Sequence, residues 1–264
     1  LSANILVLDI ERQSALVDGV WAPGEKKWVR PDQIVEPSRT ICFAYRWAHE
    51  SRTRFISEWD GNLEQDNSSM APGGGHLKMI TTAHELLNKA DYVVGWNSKN
   101  FDMKHLRSHM FAYNMKPPSP HVDLDLMHAV SKNFAFMYKS MAYISKIKQM
   151  AGKESTEAGL WRTLRYGQGD VLRRARRSMK RYNIRDVDQT LELFYDMRPW
   201  LTGMNLGLFE DDDELHCPNC NSTHLTYQGS RKNSTYAYRR FQCQDCGKWG
   251  RDTRSFKRVE VTGI

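Results

Sequence analysis

The 264-residue chain is predicted to be an α/β protein with a second, much smaller cysteine-rich unit at its C-terminus. Three observations lead there. The opening run Asn4–Ile10 has the apolar character of a buried strand. Strand-like and helical periodicities then alternate as far as Trp200. Two Cys-x-x-Cys pairs, Cys217/Cys220 and Cys243/Cys246, flank a last short segment of strand-like alternation.

The first strand carries the chemistry. Asp9 and Glu11 stand two apart, so they share a face at the end of an otherwise apolar strand. A hard divalent cation with oxygen ligands best neutralises their mutual repulsion. The alternative is a strand that runs out into solvent. Ser14–Pro37 is polar and broken by prolines, and reads as a surface excursion with room for a short hairpin. Thr40–Trp47 and Thr53–Trp59 read as strands that form an antiparallel meander with the first. Cys42 lies in that apolar run and reads as core packing.

Gly61–Gly75 is predicted to be loop. An amphipathic helix follows over His76–Ala90, with Leu77, Ile80, His84, Leu87 and Ala90 near one face. Asp91–Trp96 is a short strand parallel to the first, and it leads through Asn97–Asp102 into a helix marked by Met103, Leu106, Met110 and Tyr113. Asp102 therefore sits at a helix start, where the dipole alone would also favour an acid. Lys116–Pro120 is a rigid turn. His121–Met127 reads as a strand whose Asp123 and Asp125 are structural, and helix is expected from Phe134 to Met150. Gly152–Gly169 is less regular.

Asp170–Trp200 is the longest helical pattern. Its first half is strongly basic. A solvated face is the ordinary fate of such a run, but phosphate contact by some members, Arg173 and Arg177 among them, is the favoured reading. Tyr182 and Asp186 follow four apart on one face, above an apolar stripe of Val187, Leu191 and Phe194.

Residues 1–202 are thus expected to form the main body, 203–215 an acidic linker and 216–264 the cysteine unit. Charge follows that division. Residues 1–209 hold 29 Lys+Arg against 23 Asp+Glu, residues 210–215 hold five acids, and residues 216–264 hold nine basic against three acidic residues. Two basic bodies joined by an acidic connector, at a net charge of +7, fit a polyanionic partner. No apolar run approaches the roughly 20 residues of a membrane span. No secretory signal is visible, and the chain opens on Leu. The two thiol pairs close a tetrahedral Zn²⁺ site that would largely hold the last unit folded, which suits a reducing compartment. His216 and His224 are substitute ligands if a cysteine fails.

Taken together, Asp9, Glu11, Asp102 and Asp186 each lie at a strand end, a helix start or an inward helix face. Four buried carboxylates do not coexist uncompensated. Two divalent cations would neutralise them and clamp an in-line attack of water on a phosphodiester. Tyr182, one turn before Asp186, is placed to aim that water.

Leu8-Asp9-Ile10-Glu11, Gly95-Trp96-Asn97 through Phe101-Asp102, and Tyr182-Asn183-Ile184-Arg185-Asp186 resemble the three motifs of the DEDDy 3′–5′ exonucleases. These belong to the ribonuclease H-like (DnaQ-like) superfamily. The Asn-x-x-x-Phe-Asp form is similar to the proofreading domain of family B DNA polymerases. The last motif through Trp200, followed by a Cys-x-x-Cys ribbon, resembles stand-alone phage exonucleases. The resemblance implies a ribonuclease H-like mixed β-sheet flanked by helices, plus a small four-cysteine zinc ribbon. It implies two Mg²⁺ or Mn²⁺ beside the structural Zn²⁺, with nucleoside monophosphates released from a 3′ end. By the same carry-over, Asp9 bridges both ions, Glu11 and Asp186 complete the first site, and Asp102 acts through the second ion's waters. Asn97 and Phe101 support the site or the substrate. Many relatives have Thr where this chain has Arg12, which is read instead as a phosphate grip.

With no polymerase domain in the chain, the ribbon would hold substrate through Arg231, Lys232, Arg239 and Arg240, with Tyr236, Tyr238, Phe241 and Trp249 stacking or forming its core. The implied partner is DNA, with RNA as the alternative, in replication or repair and in the cytoplasm (the host's, if phage-encoded). Two other readings compete: a structure-selective endonuclease on the same fold, and a non-catalytic nucleic-acid adaptor.

Overall fold

The computed structural model describes residues 3–19, 29–60, 74–150 and 158–261. Within these the chain runs β1 (Ile5–Gln13), β2 (Leu16–Val17), β3 (Ile34–Glu36), β4 (Arg39–Trp47), β5 (Arg54–Ser57), α1 (Gly75–Lys89), β6 (Tyr92–Gly95), α2 (Asp102–Ala112), β7 (Val122–Asp125), α3 (Leu126–Asn133), α4 (Met141–Ile147), α5 (Leu160–Tyr166) and α6 (Gly169–Met197). Strands β8 (Leu225–Lys232), β9 (Tyr236–Cys243), β10 (Trp249–Arg251) and β11 (Lys257–Arg258) follow. The expected loop Gly61–Gly75 falls mostly on 61–73, outside the described residues, as do 151–157 of the expected irregular connection.

Strand β1 sits at the middle of a five-stranded sheet ordered β5-β4-β1-β6-β7. It pairs antiparallel with β4 and parallel with β6, so the sheet is mixed. Alternation divides its side chains between two layers. Leu6, Leu8 and Ile10 pack against Met79, Ile80, Leu87, Met103 and Leu106 of α1 and α2. Val7, on the other face, packs with Val187, Leu191 and Phe194 of α6 and with residues of α3 and α4. The result is helices on both faces of the sheet. Asp9 and Glu11 continue the Val7 face, so they project towards α6.

Two expectations need correcting. Helix α3 occupies Leu126–Asn133, overlapping the end of the expected strand, and regular helix returns only at Met141 rather than Phe134. The reason is a cap: the Asp125 side chain accepts the His128 N–H at 3.1 Å and starts the helix where the strand ends. On α1 the buried stripe is His76, Met79, Ile80, Ala83, Leu86 and Leu87, so His84 lies off it and meets the Lys116 carbonyl at the surface.

The acidic segment begins as a packed strap. Leu206 and Phe209 rest on the core beside Tyr92, whose hydroxyl accepts the Asn205 N–H at 3.0 Å. The cysteine unit is then seated on the end of α6: Asn219 donates to the Arg198 and Leu201 carbonyls, and Lys248 Nζ donates to the Leu201 carbonyl at 2.6 Å.

Candidate active site

Strand β1 is longer than its parallel neighbour. Pairing with β6 ends at Val7↔Val94, and among the described residues β1 continues with no strand partner on that edge. Its next backbone donor on that edge, Ile10 N–H, is taken by Asp102 Oδ1 at 3.0 Å. Gly95 makes the approach possible. A Cβ there would stand 2.6 Å from Ser98 Cβ and 3.3 Å from the Leu8 carbonyl, so only glycine lets the turn fold back onto β1. The turn is headed by Asn97 at φ 62°, whose N–H donates to Asp125 Oδ1 at 3.1 Å. Asp125 thus anchors both this turn and α3.

On the α6 side, single carboxylate oxygens of Asp9, Glu11 and Asp186 all lie within 4.8 Å of one another. Asn183, three residues before Asp186, donates Nδ2 to Asp9 Oδ2 at 2.7 Å and to the Asp9 carbonyl at 3.1 Å. The amide therefore orients the Asp9 carboxylate and ties α6 to β1. Opposite Glu11, pairing with β4 shifts by one residue, from Glu11↔Cys42 to Arg12↔Thr40. Such bulges bend a strand and are common next to active sites. Burial, then the charges of Glu11 and Asp9, push the Cys42 thiol well up, which keeps it neutral.

Asp102 is 3% exposed. Burial pushes its carboxyl up to about 7, against the hydrogen bond from Ile10 and with Asp125 adding to the rise. Its carboxylate is not one of the group that Asp9, Glu11 and Asp186 form within 4.8 Å, and it is tied to β1 by the Ile10 N–H. The donor set fits a hard cation. Six oxygens at about 2.1 Å around Mg²⁺ stand about 3.0 to about 4.2 Å apart, which the three carboxylates meet with small adjustments. Tyr182 is half-buried, its ring edge-on to Trp161 at 6.4 Å, and it packs against the cluster that includes Ile41, Cys42 and Met179.

The other expected contacts fall in different places. The Arg12 guanidinium donates to His105 Nε2 at 2.9 Å and to Ser38 Oγ at 2.8 Å, bridging α2 to the start of β4. Phe101 is 40% exposed, with His105 edge-on at 4.7 Å. Arg173 is paired with Asp170 and Arg177 is exposed. At a rise of about 1.5 Å per residue they stand about 20 and about 14 Å along α6 from Asp186. In the ribbon, Arg231, Lys232, Arg239 and Arg240 are exposed. Neither Asn183 nor His105 is among the residues the sequence marks as functional. Asn183 had a signal, since it shares the inward face of α6 with Asp186. His105 had none.

The four cysteines form a second cluster, again within 4.8 Å. Cys217 Sγ lies 3.6 Å from Cys246 Sγ, and Cys220 Sγ 3.5 Å from Cys243 Sγ. With Zn–S bonds of about 2.3 Å, tetrahedral sulfurs stand about 3.8 Å apart, so the donor set fits. Burial opposes ionisation of Cys243, yet backbone N–H groups of Cys246 and Asp245, followed by neighbouring thiols, bring it down to about 7.

The family model described as RNase_H_2, of the RNase_H superfamily, matches residues 37–198, more than half of the chain, and starts after β1. No curated protein matches the chain. Among solved structures, the family B DNA polymerase from the hyperthermophilic archaeon Pyrobaculum calidifontis is similar, with a TM-score of 0.52 at 15% sequence identity. The likeness covers 75% of this chain and 25% of that one, and at this identity it concerns the fold.

Proposed function

The chain belongs to the RNase H superfamily, and from that premise we propose that it is a metal-dependent 3′–5′ exonuclease. One observation carries the reading: three carboxylates from β1 and α6 gather within 4.8 Å, with a fourth buried acid one strand edge away. Asp9, Glu11 and Asp186 would hold Mg²⁺ or Mn²⁺, with Asp102 beside a second ion. When bound, such cations supply an activated water and stabilise the leaving oxygen of a phosphodiester.

The chain's own residues do the rest. Asn183 keeps Asp9 turned into the crevice. Asp102 spans the gap between the β1 edge and α2. The Tyr182 hydroxyl, one helical turn from Asp186, holds and aims the attacking water. Phe101, exposed at the α2 start, offers a ring for the terminal base. Residues 1–202 are the catalytic body in this reading. Residues 216–264 form a ribbon held by one structural Zn²⁺, on which substrate rests. DNA is the preferred substrate, with nucleoside 5′-monophosphates as products.

The test is digestion of matched single-stranded and duplex DNA and RNA, labelled at either end, with Mg²⁺, Mn²⁺ or EDTA. Single-nucleotide shortening from the 3′ end, abolished by EDTA and by Asp102→Ala, is expected. Cleavage of circular substrates or shortening from the 5′ end would overturn it, and loss of RNA in preference to DNA would reassign the substrate.

A further inference from the structure

The ribbon presents two faces of opposite character. Cross-strand partners in an antiparallel sheet share a face, as do alternate residues along one strand. Arg231 pairs with Tyr238 and Arg251 with Arg240, while Trp249 pairs with Gln242, two residues beyond Arg240 on β9. Arg231, Tyr238, Arg240, Trp249 and Arg251 therefore share one face. Arg239 and its partner Ser230 belong to the other.

On that other face the charge is cancelled. Arg239 lies over the Tyr227 ring, and Asp252 receives both the Arg239 Nε–H at 2.9 Å and the Tyr227 hydroxyl at 2.7 Å. On the first face the arginines are pinned without being neutralised. Arg251 lies 3.9 Å above the Tyr238 ring and Arg240 4.8 Å above the Trp249 ring. Arg240 Nε–H donates to the Gln228 carbonyl at 2.8 Å, and Arg251 donates to the Asp252 carbonyl at 2.9 Å. Among the described residues no carboxylate pairs with Arg231, Arg240 or Arg251. Between them lies an open cavity of about 460 Å³, lined by these three arginines, Trp249 and Gly250. A Cβ at Gly250 would stand 2.3 Å from the Phe241 ring, which packs beneath from the opposite face. The cavity is within the range of about 300–1,000 Å³ that accepts small ligand moieties.

We infer that this one face of the ribbon is a binding site for single-stranded nucleic acid, with a nucleotide seated in the Arg231–Arg240–Trp249–Arg251 cavity. A guanidinium over a ring is left with an outer side for a base and N–H groups for a phosphate. The ring contacts and the carbonyl bonds hold each guanidinium in place, so little side-chain freedom is lost on binding. A duplex buries its base faces and could use only the charges. The inference rests on the nuclease reading for the class of ligand, and the test separates the two.

The full-length protein is titrated without chelator, with Ca²⁺ in place of Mg²⁺, against 5′-labelled single-stranded DNA, single-stranded RNA and blunt duplex, read by fluorescence anisotropy over a salt series. The triple variant R231A/R240A/R251A should weaken single-strand binding at least about tenfold and lower the salt slope by about 2, as expected for three lost phosphate contacts. A charge-matched variant of the opposite face, K232A/R239A/K257A, should cost less than about threefold, as its central cation is already neutralised. Trp249→Leu keeps every charge and should weaken binding at least about fivefold through lost stacking. Thermal melting confirms that each variant is folded. Equal losses from both faces, unchanged affinity in W249L, or preference for duplex would overturn the inference. Degradation in Mg²⁺ is scored separately. If the unaltered protein degrades substrate while the triple variant binds as tightly, the face is wrong and the nuclease reading stands. If nothing is degraded but binding depends on this face, the reverse holds.

Discussion

The acid crevice and the cysteine cluster are both sets of ligand atoms within 4.8 Å of one another, but they are assembled in opposite ways. The crevice joins residues far apart in the chain: Ile10 meets Asp102 across 92 positions, and Asn183 meets Asp9 across 174. Their convergence follows from cores on both faces of the sheet that would exist without the acids. The cysteines come in two pairs, each three residues apart, on a unit whose buried apolar residues are few. In one region the fold positions the ligands. In the other a cation joining the ligands would position the fold.

Removing the metal should break that comparison most visibly. Apparent binding energies of structural Zn²⁺ reach about 10–16 kcal/mol, so chelation or Cys243→Ser should unfold residues 216–261. The body should keep its own melting transition. Limited proteolysis, with cleavage moving into the 210–215 segment and the ribbon, checks this. A body that melts along with the ribbon would mean that the contacts of Asn219 and Lys248 with the end of α6 support both.

Next in size, Asp186→Asn should leave the fold intact and lower kcat by at least about 10³-fold, equivalent to roughly 4 kcal/mol of transition-state stabilisation. Steady-state kinetics beside a thermal melt would show it. A large fall in Tm would mean that the acids also hold α6 on β1.

Asn183→Ala sharpens the same point at smaller scale. Groups that orient a metal ligand typically contribute about 10–100-fold in affinity or activity. The half-saturating Mg²⁺ concentration should rise by that order with kcat less affected. An unchanged Mg²⁺ dependence would make Asn183 a packing residue.

The gentlest perturbation is acid. Burial, then His109 and Arg39, push the His76 imidazole down to about 3. Burial, then Arg12, His105 and Arg39, push His109 down to about 4. Their usual unfolded value is about 6.5, so between these limits the unfolded chain binds more protons than the folded one. The two histidines thus stabilise the body fully above about pH 6.5, and that contribution shrinks as pH falls towards their folded values. Denaturant midpoints should fall across this window. His109→Gln should flatten the curve, and an unchanged slope would mean that other groups set the acid limb.

Much of this was legible in the chain, and particular residues show why. Alternation alone put Asp9 and Glu11 on one face, and helical spacing put Tyr182 and Asp186 on one face of α6. Both are local periodicities that survive any tertiary arrangement. The Cys-x-x-Cys pairs were legible for the same reason. Helix α3 was hidden because its start depends on a single cap, Asp125, inside a run that also reads as strand. Arg12 reads as a phosphate grip, and the contacts its guanidinium makes with His105 and Ser38, a meeting of three elements, have no local signature. The packed strap at Leu206–Phe209 was hidden by the acids that follow it.

What the sequence determined by itself is the inventory: which side chains can bind cations, which faces of β1 and α6 they occupy, and that the last unit carries two closely spaced thiol pairs. Tertiary structure decided the partnerships. It set Asp102 against the Ile10 N–H, aimed Asn183 at Asp9, and gave one face of the ribbon a neutralised arginine and the other three arginines without a carboxylate among the described residues. The physical reason is range. Periodicity and short ligand spacing are imposed by a few bonds of backbone geometry, whereas these contacts depend on where a strand outruns its neighbour and where a sheet registers, which is settled by packing across the whole core.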